Sequence, residues 1–388
     1  MRIRSVILFN LRKLLLVFII ATTGFGANSY AQKNKFGSNL ILEGRVNYGF
    51  LINHHLEMKI FNAHFPAYEM SIGKETDGRE TWQTRYGYPV IGITYWYSHL
   101  GNSPLLGSAN AVFPFINYPL LRNETSQLNF RLGVGLGYIS KPFDRLENYK
   151  YIAIGSHINA AINLMAEYRV HVSSRSSVAL GLAAMHFSNG SIKTPNYGIN
   201  AIIASMAFAY RLNKEAVKVS KKLLPGLTRF EFPESRTLNF SIGNIVAYKD
   251  MGSEYGHNFM IYNFYADAMK QITFKSNVGI ELNITKNTSD DYLVKRDSLK
   301  GFPNHGLMRV AVSPLYELIT GKLAYDFGLG FYANKIIIPA FAYFKIGFRY
   351  QVSEKIFAAL TLHSHLGQAD FVGIGIGYKF QRNYKGRR

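Results

Sequence analysis

From Leu128 to Tyr138 the chain alternates without a break: Leu128, Phe130, Leu132, Val134, Leu136 and Tyr138 are apolar, while Asn129, Arg131, Gly133, Gly135 and Gly137 are polar or small. Strand side chains switch faces with a period of two, so this spacing predicts a strand with one apolar face. The same pattern runs from Leu40 to Ile52, where Glu43, Arg45 and Asn47 share the minor face, and from Phe274 to Ile284, where Lys275, Asn277, Glu281 and Asn283 do. Charges opposite the apolar side predict a wet interior. Extended along the chain, the alternation predicts strands at residues 39–52, 62–74, 86–98, 108–121, 127–139, 156–171, 176–188 and 198–212. A second set is predicted at 237–248, 257–270, 273–285, 306–319, 321–333, 336–351, 355–365 and 371–380. Between the sets, Asn213 to Arg236 breaks the pattern with Lys214, Lys218, Lys221, Lys222, Pro225 and Pro233, and is expected to be a basic linker. Gln381 to Arg388 carries four positive charges after an aromatic strand end and is expected to be a solvated tail.

A soluble sandwich would alternate too, so other features must choose between the models. Arg2, Arg4, Arg12 and Lys13, the apolar run Leu14 to Ala21 and the small-x-small Ser29-Tyr30-Ala31 predict a signal peptide over residues 1–31. That run is well short of the ~20 residues of a spanning helix, and no later segment is both longer and free of charge. Membrane embedding of the mature chain must therefore use strands. Export, long strands without helical periodicity, and aromatic strand ends such as Tyr378 and Phe380 favour an antiparallel transmembrane β-barrel. Because such barrels vary by adding hairpins, the expectation is one all-β barrel of about 12 to 16 strands, with strands of residues 32–212 and 237–380 in the same wall. The alternative is an eight-stranded barrel followed by a second β-unit.

Composition narrows the partners. The chain has 48% hydrophobic residues, 14% aromatic residues and no cysteine, which excludes both disorder and a disulfide framework. Removal of the signal peptide takes four positive charges and lowers the formal charge from +20 to +16. An exported cationic chain with scattered charges suits outer-membrane lipid bearing phosphate, and nucleic acid is not an expected partner.

The candidate chemistry lies in residues 186–200, His-Phe-Ser-Asn-Gly-Ser-Ile-Lys-Thr-Pro-Asn-Tyr-Gly-Ile-Asn. His186 and Ser188 project from the apolar face of Val178, Leu180, Leu182 and Ala184, close enough for a base and nucleophile. Alone, two polar residues near a strand end more often mark an interfacial girdle or a loop entry. Pro195-Asn196 and Gly198 then signal a turn, and Asn200 shares the apolar face of Ile202, Ala204, Met206, Phe208 and Tyr210. Asn189 points to the opposite face and is expected to fix the loop, while Gly190 allows a backbone N–H to approach a reacting carbonyl.

This stretch resembles the lipid A 3-O-deacylase family (PagL) of outer-membrane barrels, whose signature is His-x-Ser-Asn followed by a Pro-Asn-x-Gly turn. Phe130 to Tyr138 and Ile154 to Ala160 resemble preceding strands of longer, acyloxyacyl hydrolase-like relatives, and residues 213–388 exceed the compact family barrel. The resemblance implies Ser188 as nucleophile, His186 as general base and Asn196 as a holder of the oxyanion. The family's third member is a glutamate, and its position falls on Asn200, which can orient a histidine but supplies no charge. The implied function is an outer-membrane serine esterase that removes an ester-linked acyl chain from lipid A of lipopolysaccharide, with no metal and no organic cofactor. A non-enzymatic barrel, either pore or structural, and a phospholipase are the alternatives. Which ester is cut and the oligomeric state are not specified by these residues.

Other polar residues read differently. Glu167 alternates with Asn159, Asn163, Arg169 and His171, so it belongs to an interior network and pairs with arginine. His363 and His365 echo the motif, but no Pro-Asn-x-Gly turn follows them, and their face with Phe357, Ala359 and Thr361 points inward, toward luminal hydrogen bonds. His54, His55 and His64 belong to a first loop, and the glycine runs at Gly133 to Gly137 and Gly373 to Gly377 are interior small residues.

Overall fold

The computed structural model describes residues 39–52, 63–101, 103–212, 232–233, 235–252, 255–303, 305–365 and 367–385. The expected signal peptide, His54, His55 and most of the expected linker lie outside the described residues. Eight strands form the first half: β1 Leu40–Leu51, β2 His64–Glu75, β3 Val90–Ser98, β4 Ala109–Arg122, β5 Ser126–Ile139, β6 Ile158–His171, β7 Ser176–Ser188 and β8 Ile199–Arg211. Eight more form the second: β9 Ser235–Lys249, β10 Phe259–Gln271, β11 Ser276–Asn287, β12 Arg309–Thr320, β13 Leu323–Tyr332, β14 Ala342–Gln351, β15 Ile356–His365 and β16 Gln368–Lys385. Each strand expected from alternation overlaps one of these. β16 runs on through Gln381–Lys385, the start of the expected tail, because those residues continue the ladder to β9.

All neighbours pair antiparallel, and the sheet closes twice. β8 returns to β1, pairing Leu42 with Tyr210 and Phe50 with Ile202, and β16 returns to β9, pairing Ile374 with Val246. The expectation of one barrel with about 12 to 16 strands is therefore overturned: there are two closed eight-stranded barrels. Once β8 spends its free edge on β1, no N–H or C=O row remains for β9 to join. Eight strands suffice because the resulting lumen is narrow enough for side chains to fill.

In the first barrel the lumen holds a buried ion network. Arg45 bonds Glu167 at 2.6 Å and Glu43 at 2.9 Å, Arg131 bonds Glu43 at 3.2 Å, and Arg169 bonds Glu167 at 3.0 Å. Glu69 completes three acids facing three arginines. Toward the β7–β8 loop the filling turns apolar, with Trp96, Phe113, Met165, Met185 and Phe187 buried and the Trp96 and Phe187 rings 5.7 Å apart. The second barrel repeats the ionic design with Glu281, Asp267 and Asp326 around Lys345 and Arg349. His363 is luminal as expected, but it stacks between Tyr343 and Phe371 at 4.4 and 4.5 Å, and its Nε2 has no hydrogen-bond partner among the described residues. His365 bonds the Tyr332 hydroxyl at 2.8 Å.

Outward positions carry the large apolar side chains, and these have no protein cover. Met70 is 73% exposed and Leu182 65%, with Phe208, Phe264, Ile280 and Phe344 also exposed. Such a surface is stable only against hydrocarbon. Among the described residues, three short helices lie in connections: α1 Thr81–Arg85, α2 Ser103–Leu106 and α3 Thr288–Arg296.

The described residues from Asn39 onward cluster as one compact unit, and the barrels touch along a seam. At the end bearing the short turns, the Tyr86 hydroxyl donates to the Ile319 carbonyl at 2.6 Å, and the Tyr118 and Thr320 hydroxyls lie 2.9 Å apart. At the other end, the β7–β8 loop meets β16 and the β9–β10 loop: the Ser191 hydroxyl donates to the Ala369 carbonyl at 2.6 Å, and Asp250 N–H to the Ser191 carbonyl at 2.9 Å. Strands tilted by roughly 35–45° sweep far around a small barrel, so the base of β4 and the top of β7 can share one side.

Candidate active site

The site forms where β7 ends and β8 begins. Phe187 is pinned in the lumen by Trp96, so its neighbours His186 and Ser188 must face outward; a one-residue slip would bury both. Two residues apart on one face, they are spaced roughly 6.5–7 Å along the strand. The β7–β8 register pairs His186 directly with Asn200. Across that pair, His186 Nδ1 lies 2.6 Å from Asn200 Oδ1. A carboxamide oxygen only accepts, so Nδ1 carries the proton and Nε2 is the basic nitrogen of the ring.

Ser188 is held by the loop that follows it. Its Oγ accepts from Asn196 Nδ2 at 3.0 Å and from the Gly190 N–H at 3.2 Å, and lies 3.3 Å from Asn196 Oδ1, to which it can donate. Asn196 Oδ1 also accepts from the Asn189 N–H at 3.0 Å. Asn189 is buried on the opposite face, as expected, and its side chain donates to Ser156 Oγ at 2.8 Å and to the Lys193 carbonyl at 2.7 Å. Gly198 closes the loop with its N–H on the Ala153 carbonyl at 2.8 Å. Its φ is +83°, and a Cβ there would stand 2.9 Å from His186 Cε1. Only glycine meets both demands.

All six residues singled out from the sequence thus gather at one strand end: His186 with Asn200, and Ser188 with Gly190, Asn189 and Asn196. Of their loop supports, Ser156 was expected to open the strand 156–171, which instead starts at Ile158, while Ala153 and, across the seam, Asp250 carried no signal in the sequence, since loop residues lack periodicity and their partners lie far along the chain. Glu167 sits in the first barrel's lumen among Arg45, Arg169, Asn117 and Asn129, away from the site. His64 lies on the outer face against Tyr48 and Phe50.

Closed antiparallel barrels with bare apolar outer faces and polar, filled lumens define an integral outer-membrane β-barrel protein of bacteria. Residues 67–209 match the family model described as lipid A 3-O-deacylase (PagL), and residues 236–382 match the model described as acyloxyacyl hydrolase, C-terminal domain. The chain belongs to this lipid A deacylase and acyloxyacyl hydrolase family, and the two matched segments fall one on each barrel. Among solved structures it is similar to the outer membrane enzyme PagL, at 17% identity over 43% of this chain and 99% of that one, with a TM-score of 0.31. It is also similar to Neisserial surface protein A, at 9% identity over 45% of this chain and 98% of that one, with a TM-score of 0.33. An engineered Rh. blastica porin aligns over 88% of this chain and 99% of its own, at 9% identity and a TM-score of 0.18. No curated protein matches.

Proposed function

We propose that this protein is a serine esterase of the outer membrane that removes an ester-linked acyl chain from lipid A, with Ser188 as nucleophile and His186 as general base. The observation that carries the reading is the joint geometry at the strand end: Nδ1 of His186 committed to Asn200 at 2.6 Å, and two N–H donors from Gly190 and Asn196 converging on Ser188 Oγ. Family membership supports the substrate class.

His186 Nε2 takes the proton of Ser188 Oγ as the oxygen bonds to the ester carbonyl carbon, and the carbonyl electron pair moves onto its oxygen. That oxygen forms one bond angle from Oγ, within reach of the Asn196 Nδ2 and Gly190 N–H donors, which stabilise the negative charge. Collapse breaks the carbon–oxygen bond to the alcohol of the lipid A ester, and the departing alkoxide takes the proton from His186. Water, deprotonated by the same nitrogen, then attacks the acyl-serine, and collapse breaks the carbon–Oγ bond, so that Ser188 takes the proton back from His186 as the fatty acid leaves. The outward position puts Ser188 on the face that meets lipid, so a membrane-embedded acyl chain can approach sideways without leaving the bilayer.

Mass spectrometry of lipid A from cells with and without the protein tests this. Wild type is expected to yield a species lighter by one acyl group, whereas Ser188→Ala and His186→Ala yield none while keeping heat-modifiable barrel migration. Deacylation persisting in Ser188→Ala would overturn the mechanism. Lysophospholipid in place of shortened lipid A would move the substrate to glycerophospholipid esters.

A further inference from the structure

We propose that the second barrel is part of the active site, with Asp250 as a positioning residue that holds the catalytic loop of the first barrel in its working shape. This rests on the reading of Ser188 and Asn196 given above. Four hydrogen bonds and one packing contact cross the seam onto the segment between Ser188 and Asn196. Asp250 Oδ2 accepts from the Thr194 N–H at 2.8 Å and from the Thr194 hydroxyl at 3.0 Å, and the Asp250 N–H donates to the Ser191 carbonyl at 2.9 Å. The Ser191 hydroxyl donates to the Ala369 carbonyl at 2.6 Å. Val372 packs so closely on Gly190 that a Cβ at that glycine would lie 2.3 Å from Val372 Cγ2.

These contacts fall on the loop that delivers both donors to Ser188. Gly190, one donor, rests on Val372; Thr194, two residues before the other donor Asn196, is tied to Asp250 by main chain and side chain at once. Asp250 is itself fixed, because its Oδ1 accepts the Gly252 N–H at 2.9 Å. On the first barrel's side, the segment from Ser191 to Thr194 is held mainly through Asn189. The seam supplies the second anchor. Two donors must stay within a few tenths of an ångström of the forming oxyanion, and misplacement by about 1 Å can cost 100-fold in rate.

The test compares Asp250→Ala, Asp250→Asn and Thr194→Val in the full-length protein with purified lipid A, alongside Ser188→Ala. Asp250→Ala is expected to lower kcat at least about tenfold with KM within about twofold, since the donors act on the transition state and not on ground-state binding. Amide hydrogen exchange at residues 190–196 is expected to accelerate in the same variant. Asp250→Asn keeps an acceptor for Thr194 and is expected to remain within about threefold of wild type; a purely structural loss of the side chain would not be rescued this way. Thr194→Val keeps the shape, removes one of the two bonds and is expected to fall between them, which keeps the idea testable if Asp250→Ala fails to insert. Wild-type kcat in Asp250→Ala, or a lower kcat without faster exchange in the loop, overturns the proposal. Activity in Ser188→Ala would instead sink the nucleophile assignment, and the exchange measurement would still report whether the second barrel holds the loop.

Discussion

At the scale of single residues, the narrowest constraint in the site is Gly198. Its positive φ and the 2.9 Å approach to the His186 ring leave no room for a methyl group. Gly198→Ala is expected to push His186 off Asn200 and lower kcat by about tenfold or more, with barrel migration unchanged because the residue fills no lumen. Kinetics on purified lipid A check this; wild-type kcat would mean the ring tolerates displacement. Asn200 defines the other residue-scale question. Its oxygen orients the imidazole but brings no charge, whereas a carboxylate there would stabilise the imidazolium formed during proton transfer. Asn200→Glu is therefore expected to match or exceed wild-type kcat, and a large loss in a folded variant would show that the amide itself is required.

At the scale of elements, each strand has two separate tasks. The outer row meets lipid, while the inner row fills the lumen with charges that must satisfy one another. Glu167 is fully enclosed and shared by Arg45 and Arg169, so Glu167→Gln leaves buried guanidinium groups short of one negative partner. Removing one member of a buried ion pair costs on the order of 3–5 kcal/mol. The variant is expected to unfold at lower urea while the folded fraction keeps wild-type kcat, because the site lies at the far end of β7. Equal urea midpoints would indicate that Glu43 and Glu69 already neutralise the cluster.

At the scale of the whole molecule, double closure makes each half self-contained in its hydrogen bonding, and the seam adds contacts between finished walls. A protease site introduced between residues 213 and 231 is expected, once cut in the purified protein, to leave two fragments that each migrate as heat-modifiable barrels. In a single sixteen-stranded wall the same cut would leave the ladder intact, and the fragments would separate only on denaturation. The seam nonetheless brings Asp250, Ala369 and Val372 of the second barrel onto the β7–β8 loop of the first.

Strand positions, the face each residue occupies and the grouping of His186, Ser188 and Asn200 on the lipid side were all legible in the sequence, because a period of two is a local property that any strand must obey. The Asn196 turn was legible for a similar reason: its proline and glycine mark it without reference to the rest of the chain. Closure was not. Alternation says which way a side chain points but not which edge its strand will find, and the pairing of β8 with β1 joins residues more than 150 positions apart, such as Leu42 and Tyr210. The same limit hid Asp250 and Ala153, loop residues whose roles depend on partners that only the folded chain brings near. Local patterning determined the elements and the shared face of His186, Ser188 and Asn200; long-range edge pairing decided that there are two barrels, and the contact between them decided which residues meet the β7–β8 loop.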